Sequence, residues 1–161
     1  MSEISDLLDR FHHGPDLVAN TLAGAAGAEL DFTPEPGKWN MRQIVAHLAD
    51  TELVMAVRFR RMLAEDRPRF EEFDQDAWAR SLDYAKRQPA ESTKTLKLIR
   101  GDSHGLLKDT PEAAFARTGI HPRRGEMTVL QLLKLSTDHV EKHAGHMRER
   151  REQWRQRAHA S

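Results

Sequence analysis

Two stretches of this chain declare themselves as long helices at their first residues. Asn40 is followed three residues later by Gln43, and Thr128 by Gln131. In each pair the cap side chain can accept from the amide three residues on, while the glutamine reaches back to the cap's own amide. An apolar residue precedes each cap (Trp39, Met127) and another stands five positions on (Ile44, Leu132), the spacing of a hydrophobic staple. Behind each start runs a stripe of helical period. The first carries Ile44, Leu48, Thr51, Met55, Phe59 and Met62; the second carries Val129, Leu132, Leu133, Ser136, Val140 and Met147. The spacing predicts helices over 41–65, ending before Pro68, and from 129 to about 156. Amphipathic helices of this length bury their stripes against other helices, so an all-α, four-helix bundle is the expected architecture.

The other two main helices are less sharply marked. Residues 3–12 place Ile4, Leu7, Leu8 and Phe11 at helical spacing; Gly14-Pro15 interrupts, with Pro15 able to open a continuation through Leu17, Val18 and Leu22. A third helix is expected over 90–108 from Leu96, Leu98, Ile99, Leu106 and Leu107, weakened by Gly101 and Gly105. Residues 33–38 read as a turn. Residues 66–88 are polar, with a short helix around 74–84. That link is long for a bundle and reads as a crossover between the second and third helices rather than a hairpin turn. Residues 118–121 and 124–127 can form a small hairpin.

Composition agrees with this reading. Leu, Ala, Arg and Glu are abundant, while β-branched and aromatic residues are few. The 161 residues are expected to form one domain, 1–161. Acidic and basic residues balance at 25 each, so no overall field favours nucleic acid. No apolar run approaches the length of a membrane span and no apolar leader is evident, which makes a cytoplasmic protein the expectation. With no cysteine, the chain offers neither a thiol nucleophile nor a thiolate metal ligand of its own.

The candidate chemistry lies in three histidines. His139 and His143 are four apart on the last predicted helix and share a face. At about 100° per residue they fall on or beside the buried stripe, one turn after Ser136. His47 borders the stripe of the second helix, next to Leu48. A zincin motif is excluded, because Glu141 does not directly follow the first histidine. A lone histidine beside an apolar face is more often a hydrogen-bonded core residue. Three on facing helices match the way bundles build metal sites, and three imidazoles with an open position suit a catalytic metal. His146 lies three residues after His143 and can either pair with it or line the mouth of the site. Asp50 and Thr51 can orient His47; Asp50 reads slightly more readily as a polar partner or a surface carboxylate. Arg58, Arg60 and Arg61 can bind an acidic cofactor, but such a run is more often a solvated face, and none of the three is assigned to the site.

The segment Pro36-Gly-Lys-Trp-Asn-Met-Arg-Gln-Ile-Val-Ala-His-Leu-Ala-Asp-Thr-Glu52 resembles the first motif of the DinB/YfiT-like superfamily. Arg58-Phe-Arg-Arg-Met-Leu-Ala-Glu-Asp-Arg-Pro68 and Phe73-Asp-Gln-Asp-Ala-Trp78 resemble its YfiT branch. Asp138-His-Val-Glu-Lys-His-Ala-Gly-His146 is similar to the family's His-x-x-x-His-x-x-Gln, with His146 where Gln is common. The resemblance implies an up-down-down-up bundle and a divalent metal ion, zinc or nickel, held by His47, His139 and His143. It implies an enzyme acting on a small-molecule substrate, with homodimers common. Members include S-transferases and isomerases that use low-molecular-weight thiols such as bacillithiol or mycothiol, and metal-dependent hydrolases. Thiol transfer is the leading expectation, with hydrolysis by activated water next. A non-catalytic helical stress-response or interaction protein is the alternative outside catalysis.

Overall fold

The computed structural model of the chain describes residues 2–160. Four long helices form the bundle: α1 (Glu3–Leu22), α2 (Met41–Ala64), α4 (Pro89–Lys108) and α5 (Val129–His159). A short α3 (Gln75–Ser81) and a hairpin of β1 (Thr118–His121) and β2 (Gly125–Thr128) occupy the links. Both capping boxes are present. Asn40 accepts from the Gln43 amide at 2.9 Å and Gln43 reciprocates at 3.0 Å. Thr128 accepts from Gln131 at 3.1 Å and Gln131 reciprocates at 2.8 Å.

Boundaries differ from expectation in a few places. The expected helix around 74–84 is split: α3 is followed by a 3-10 turn at Tyr84–Lys86, entered through Asp83 in the left-handed region. The second hairpin strand is 125–128, one residue later than expected, because Gly125 pairs with His121 and takes a positive φ of 74° at the turn. Pro89 occupies the first turn of α4, where its missing N–H costs nothing.

α1 runs straight through Gly14-Pro15, although Pro removes one bond of the helical ladder. The reason lies across the bundle. Pro15 cannot donate to the Phe11 carbonyl, and Nη1 of Arg100 makes a long hydrogen bond to that oxygen, at 3.5 Å. A Cβ on Gly14 would lie 2.7 Å from the same Nη1. The dipeptide that looks like a break in the sequence is therefore the seat of a buried arginine.

Contacts along the helices fix their directions. Arg42 and Arg60 of α2 meet Arg87 and Asp102, before and within α4, so α2 and α4 are parallel. Arg10 and Thr21 of α1 meet Asp138 and Arg151 of α5, so these too are parallel. Asp16 with Lys97 and Phe11 with Arg100 show that α1 opposes α4; Trp39 with Arg150 and His47 with His139 show that α2 opposes α5. The order is up-down-down-up. Parallel α2 and α4 require the chain to travel back along the bundle between them, which explains the long 65–88 link. That link is pinned to β1: the Phe70 amide donates to the Ile120 carbonyl and the Ile120 amide to the Pro68 carbonyl.

The core has two apolar parts. One gathers Phe11, Phe59, Met62, Leu107, Leu132 and Leu133; the other gathers Val18, Ile44, Leu48, Leu96, Val140 and Met147. Every residue of the two predicted stripes is buried. On α2 and α5 the parts are separated by a polar layer holding Glu52, Ser136 and Arg100. Arg100 is 1% exposed and Glu52 2%, with Nη2 donating to Oε2 at 2.8 Å. Nη2 also donates to the Ser136 carbonyl and hydroxyl, and the guanidinium lies 4.2 Å from the Phe11 ring centre. Among the described residues no helix is long and apolar enough to cross a membrane.

Candidate metal centre

His47, on the inward face of α2, is buried; His139 and His143, on α5, are half-buried. The antiparallel packing of α2 on α5 brings the three rings together. Their centres are 5.1 Å apart for His47–His139, 5.1 Å for His47–His143 and 4.6 Å for His139–His143. Nε2 of His47 lies 3.2 Å from Nε2 of His139. One nitrogen from each ring falls within 4.8 Å of the others.

Burial dominates the electrostatics. It pushes His47 down to about 4, against weaker upward pulls from Asp50 and Asp76. It pushes His139 to about 2 and His143 to about 3, helped by the neighbouring imidazoles and, for His139, by Arg100. All three rings are therefore neutral at pH 7, the state in which imidazole offers a lone pair. Two neutral rings with the same nitrogen 3.2 Å apart can share one proton or aim two lone pairs at one cation.

Several details favour the second arrangement. Nδ1 of His47 is 3.4 Å from the Thr51 hydroxyl, one turn on. In the Nδ1–H tautomer the ring donates to Thr51 and leaves Nε2 as the free acceptor. Buried Nδ1 of His143 has no hydrogen-bond partner among the described residues. Such an orphan is costly in a core, and a cation relieves it. The donor set suits a borderline divalent ion, so the residues present fit the group the resemblance implies.

Asp50 does not orient His47. Its carboxylate accepts from the Tyr84 hydroxyl at 2.8 Å and from Arg87 at 2.7 Å. Glu141, the misplaced glutamate between the two histidines, points outward and with Asp138 receives Arg10 from α1. The His146 ring centre is 5.4 Å from that of His143, but it does not join the cluster of three. It lines a cavity of about 480 Å³ on one side of the site, together with His143 and Trp39.

A larger cavity, about 820 Å³, opens on the other side over His47 and His139. Its volume is within the usual range for small-molecule sites. Its walls include Thr51, Met55, Arg58 and Leu135, the start of α3 and the turn of the hairpin. Sequence reasoning missed Tyr84 and the part the hairpin turn plays in the site, which come from distant parts of the chain; it raised Arg58 only as one of a run and did not assign it to the site. Trp39, the expected staple residue, also packs its ring 4.9 Å from that of His47. Arg60 and Arg61 are partly exposed and paired with Asp102 and Glu65, as a solvated face requires. Arg58 departs from that reading: it is 5% exposed, because its position on α2 turns it toward the cavity.

Comparison with known proteins agrees with this fold. The "Putative metal-dependent hydrolase YfiT" of Bacillus subtilis is 32% identical over 76% of this chain and 69% of its own length. A relative from Oceanobacillus iheyensis with the same form of name is 27% identical over 91% of this chain and 81% of its own. A solved structure of YfiT from Bacillus subtilis, described as having an unusual four-helix bundle topology, matches with a TM-score of 0.89. That match is at 25% identity and covers 96% of this chain and 90% of the other. The family model described as the DinB superfamily matches residues 10–147, so this chain belongs to that superfamily.

Proposed function

We propose that the protein is a metal-dependent enzyme in which His47, His139 and His143 hold a divalent ion, zinc or nickel, and a small thiol is delivered to an electrophilic substrate. The observation that carries this reading is the convergence of three neutral imidazole nitrogens within 4.8 Å, with His47 and His139 lining the larger cavity and His143 the smaller one. When bound, the ion supplies Lewis-acid polarisation and a lowered pKa for a thiol or water beside it. The chain's own residues do the rest. Thr51 fixes the ring of His47, the packing of α2 on α5 sets the spacing of the donors, and Met55 with Leu135 makes the adjoining wall apolar. On α2 no carboxylate is free to act as a general base for water: Asp50 is committed to Tyr84 and Arg87, and Glu52 to Arg100, which leaves Asp76 of α3 as the acid on the His47 side of the cavity. A thiol needs less help from a base than water does.

The second reading, hydrolysis, is favoured by the names of the relatives. One experiment separates them. Tag-free protein with measured metal content is assayed with an alkylating electrophile and several small thiols, and with esters and amides without thiol. Acceleration only with a thiol supports transfer, and turnover without one supports hydrolysis. No stoichiometric metal, together with a melting temperature unmoved by chelator, would remove both.

A further inference from the structure

The large cavity extends well beyond the histidines. His47, Thr51, Met55 and Arg58 lie along one face of α2, and all four line it. Arg58 stands eleven positions after His47, roughly 16 Å along a helix axis. Thr51 and Met55 fill the interval, so the cavity has a polar floor, a less polar middle and a cationic far end.

Arg58 is an unusual residue for a cavity wall. It is 5% exposed, yet among the described residues no carboxylate pairs with it. Its hydrogen bond to protein runs from Nη2 to the Glu71 carbonyl, at 3.1 Å, and its guanidinium lies 5.3 Å from the Phe70 ring centre. A guanidinium carries five N–H donors, and burying it without an anion is costly. The hairpin turn brings further positive charge to the same end. Nδ1 of His121 accepts from the backbone amides of Arg123 and Arg124, both at 3.2 Å, which holds the turn against the cavity. Arg123 is neutralised by Glu72. Arg124, like Arg58, has no carboxylate partner among the described residues. Of the other acids lining the cavity, Asp74 accepts from the first amides of α3, and Asp76 acts on His47, at the opposite end from Arg58. Burial and then the three guanidiniums hold His121 below its ordinary value, as expected where positive charge collects.

We propose that Arg58 and Arg124 form a subsite for an oxyanion group, carboxylate or phosphate, on the molecule whose reacting end lies at the three histidines. A planar guanidinium matches either group through two parallel hydrogen bonds. The inference rests on the proposed function for the placement of the reacting end, but the anion site itself does not require a metal.

The test uses the full chain stripped of metal, at low salt so that charge is not screened. Inorganic phosphate is titrated in one arm and succinate in the other, by calorimetry. The expected result is one saturable site per chain, weakened about tenfold or more by Arg58→Gln and by Arg124→Gln. Arg58→Lys should recover part of the loss, since it keeps charge without the fork. Binding of phosphate alone points to a phosphoryl ligand and of succinate alone to a carboxylate; both support the subsite. His143→Ala should leave anion binding intact. The proposal is overturned if neither anion saturates, if Arg58→Gln and Arg124→Gln both bind as the native chain does, or if His143→Ala abolishes binding. Exposed Arg124 decides the matter if Arg58→Gln loses its helical circular dichroism. Metal content, measured separately, tests the proposed function and leaves this result standing on its own.

Discussion

Replacing Glu52 with Gln keeps the shape of the polar layer and removes its anion. Arg100 would then be a cation, 1% exposed, surrounded by neutral acceptors. Removing one partner of a buried pair costs about 3–5 kcal/mol, because the survivor keeps its desolvation penalty. Here Nη2 would retain the Ser136 carbonyl at 3.1 Å and hydroxyl at 2.9 Å, and the Phe11 ring would still face the charge at 4.2 Å. The expected loss therefore sits near the lower end, about 3 kcal/mol, against a total stability on the order of 5–15 kcal/mol. For a chain of this size that lowers Tm by roughly 6–12 °C. The measurement is urea and thermal unfolding of chelator-treated protein at pH 7. A companion double variant, Glu52→Gln with Arg100→Met, removes both charges and should cost clearly less than the sum of the two single variants. If Glu52→Gln falls within about 0.5 kcal/mol of the native chain, or the two changes add, the pair is not the desolvated unit that the structure shows.

His143→Ala should abolish stoichiometric metal in tag-free protein, while His146→Ala should retain it; elemental analysis checks both. Stability of the metal-free chain should depend on pH through the three histidines. Their folded values, about 4, 2 and 3, lie below the ordinary 6.5, so the folded state favours the neutral rings. The stabilisation is complete above pH 6.5 and falls away as pH drops, by at most about 1.4 kcal/mol per pH unit per ring. A melting temperature that stays flat between pH 7 and pH 5 would contradict this. Tyr84→Phe leaves Asp50 with Arg87 alone and should cost about 1–3 kcal/mol in chemical denaturation; a neutral result would mean that the hydroxyl is not needed there. Gly14→Ala places a Cβ 2.7 Å from Arg100 Nη1 and 3.2 Å from Val140 Cγ1, in a region with no slack. It should destabilise by about 1–3 kcal/mol despite Ala being the better helix former.

The bundle was legible from local chemistry. Capping boxes and apolar stripes are short-range patterns, and α2 and α5 begin where Asn40 and Thr128 say they should. The three-histidine cluster was legible for a related reason: helical phasing puts His139 and His143 on one buried face, and the motif around His47 points to a facing helix. Gly14-Pro15 was misleading, because its sense depends on Arg100, 85 residues downstream.

What the sequence determined by itself is which segments become helices and which faces they bury, since those follow from spacing of 3.6 residues and from capping. Only the tertiary structure decided which polar residues meet. It gave Asp50 to Tyr84 rather than to His47, set Glu52 against Arg100 between the two apolar parts, and turned Arg58 out of an arginine-rich run into the cavity. The physical reason is that a buried charge is governed by the partners it finds, and those partners come from segments that no local pattern connects.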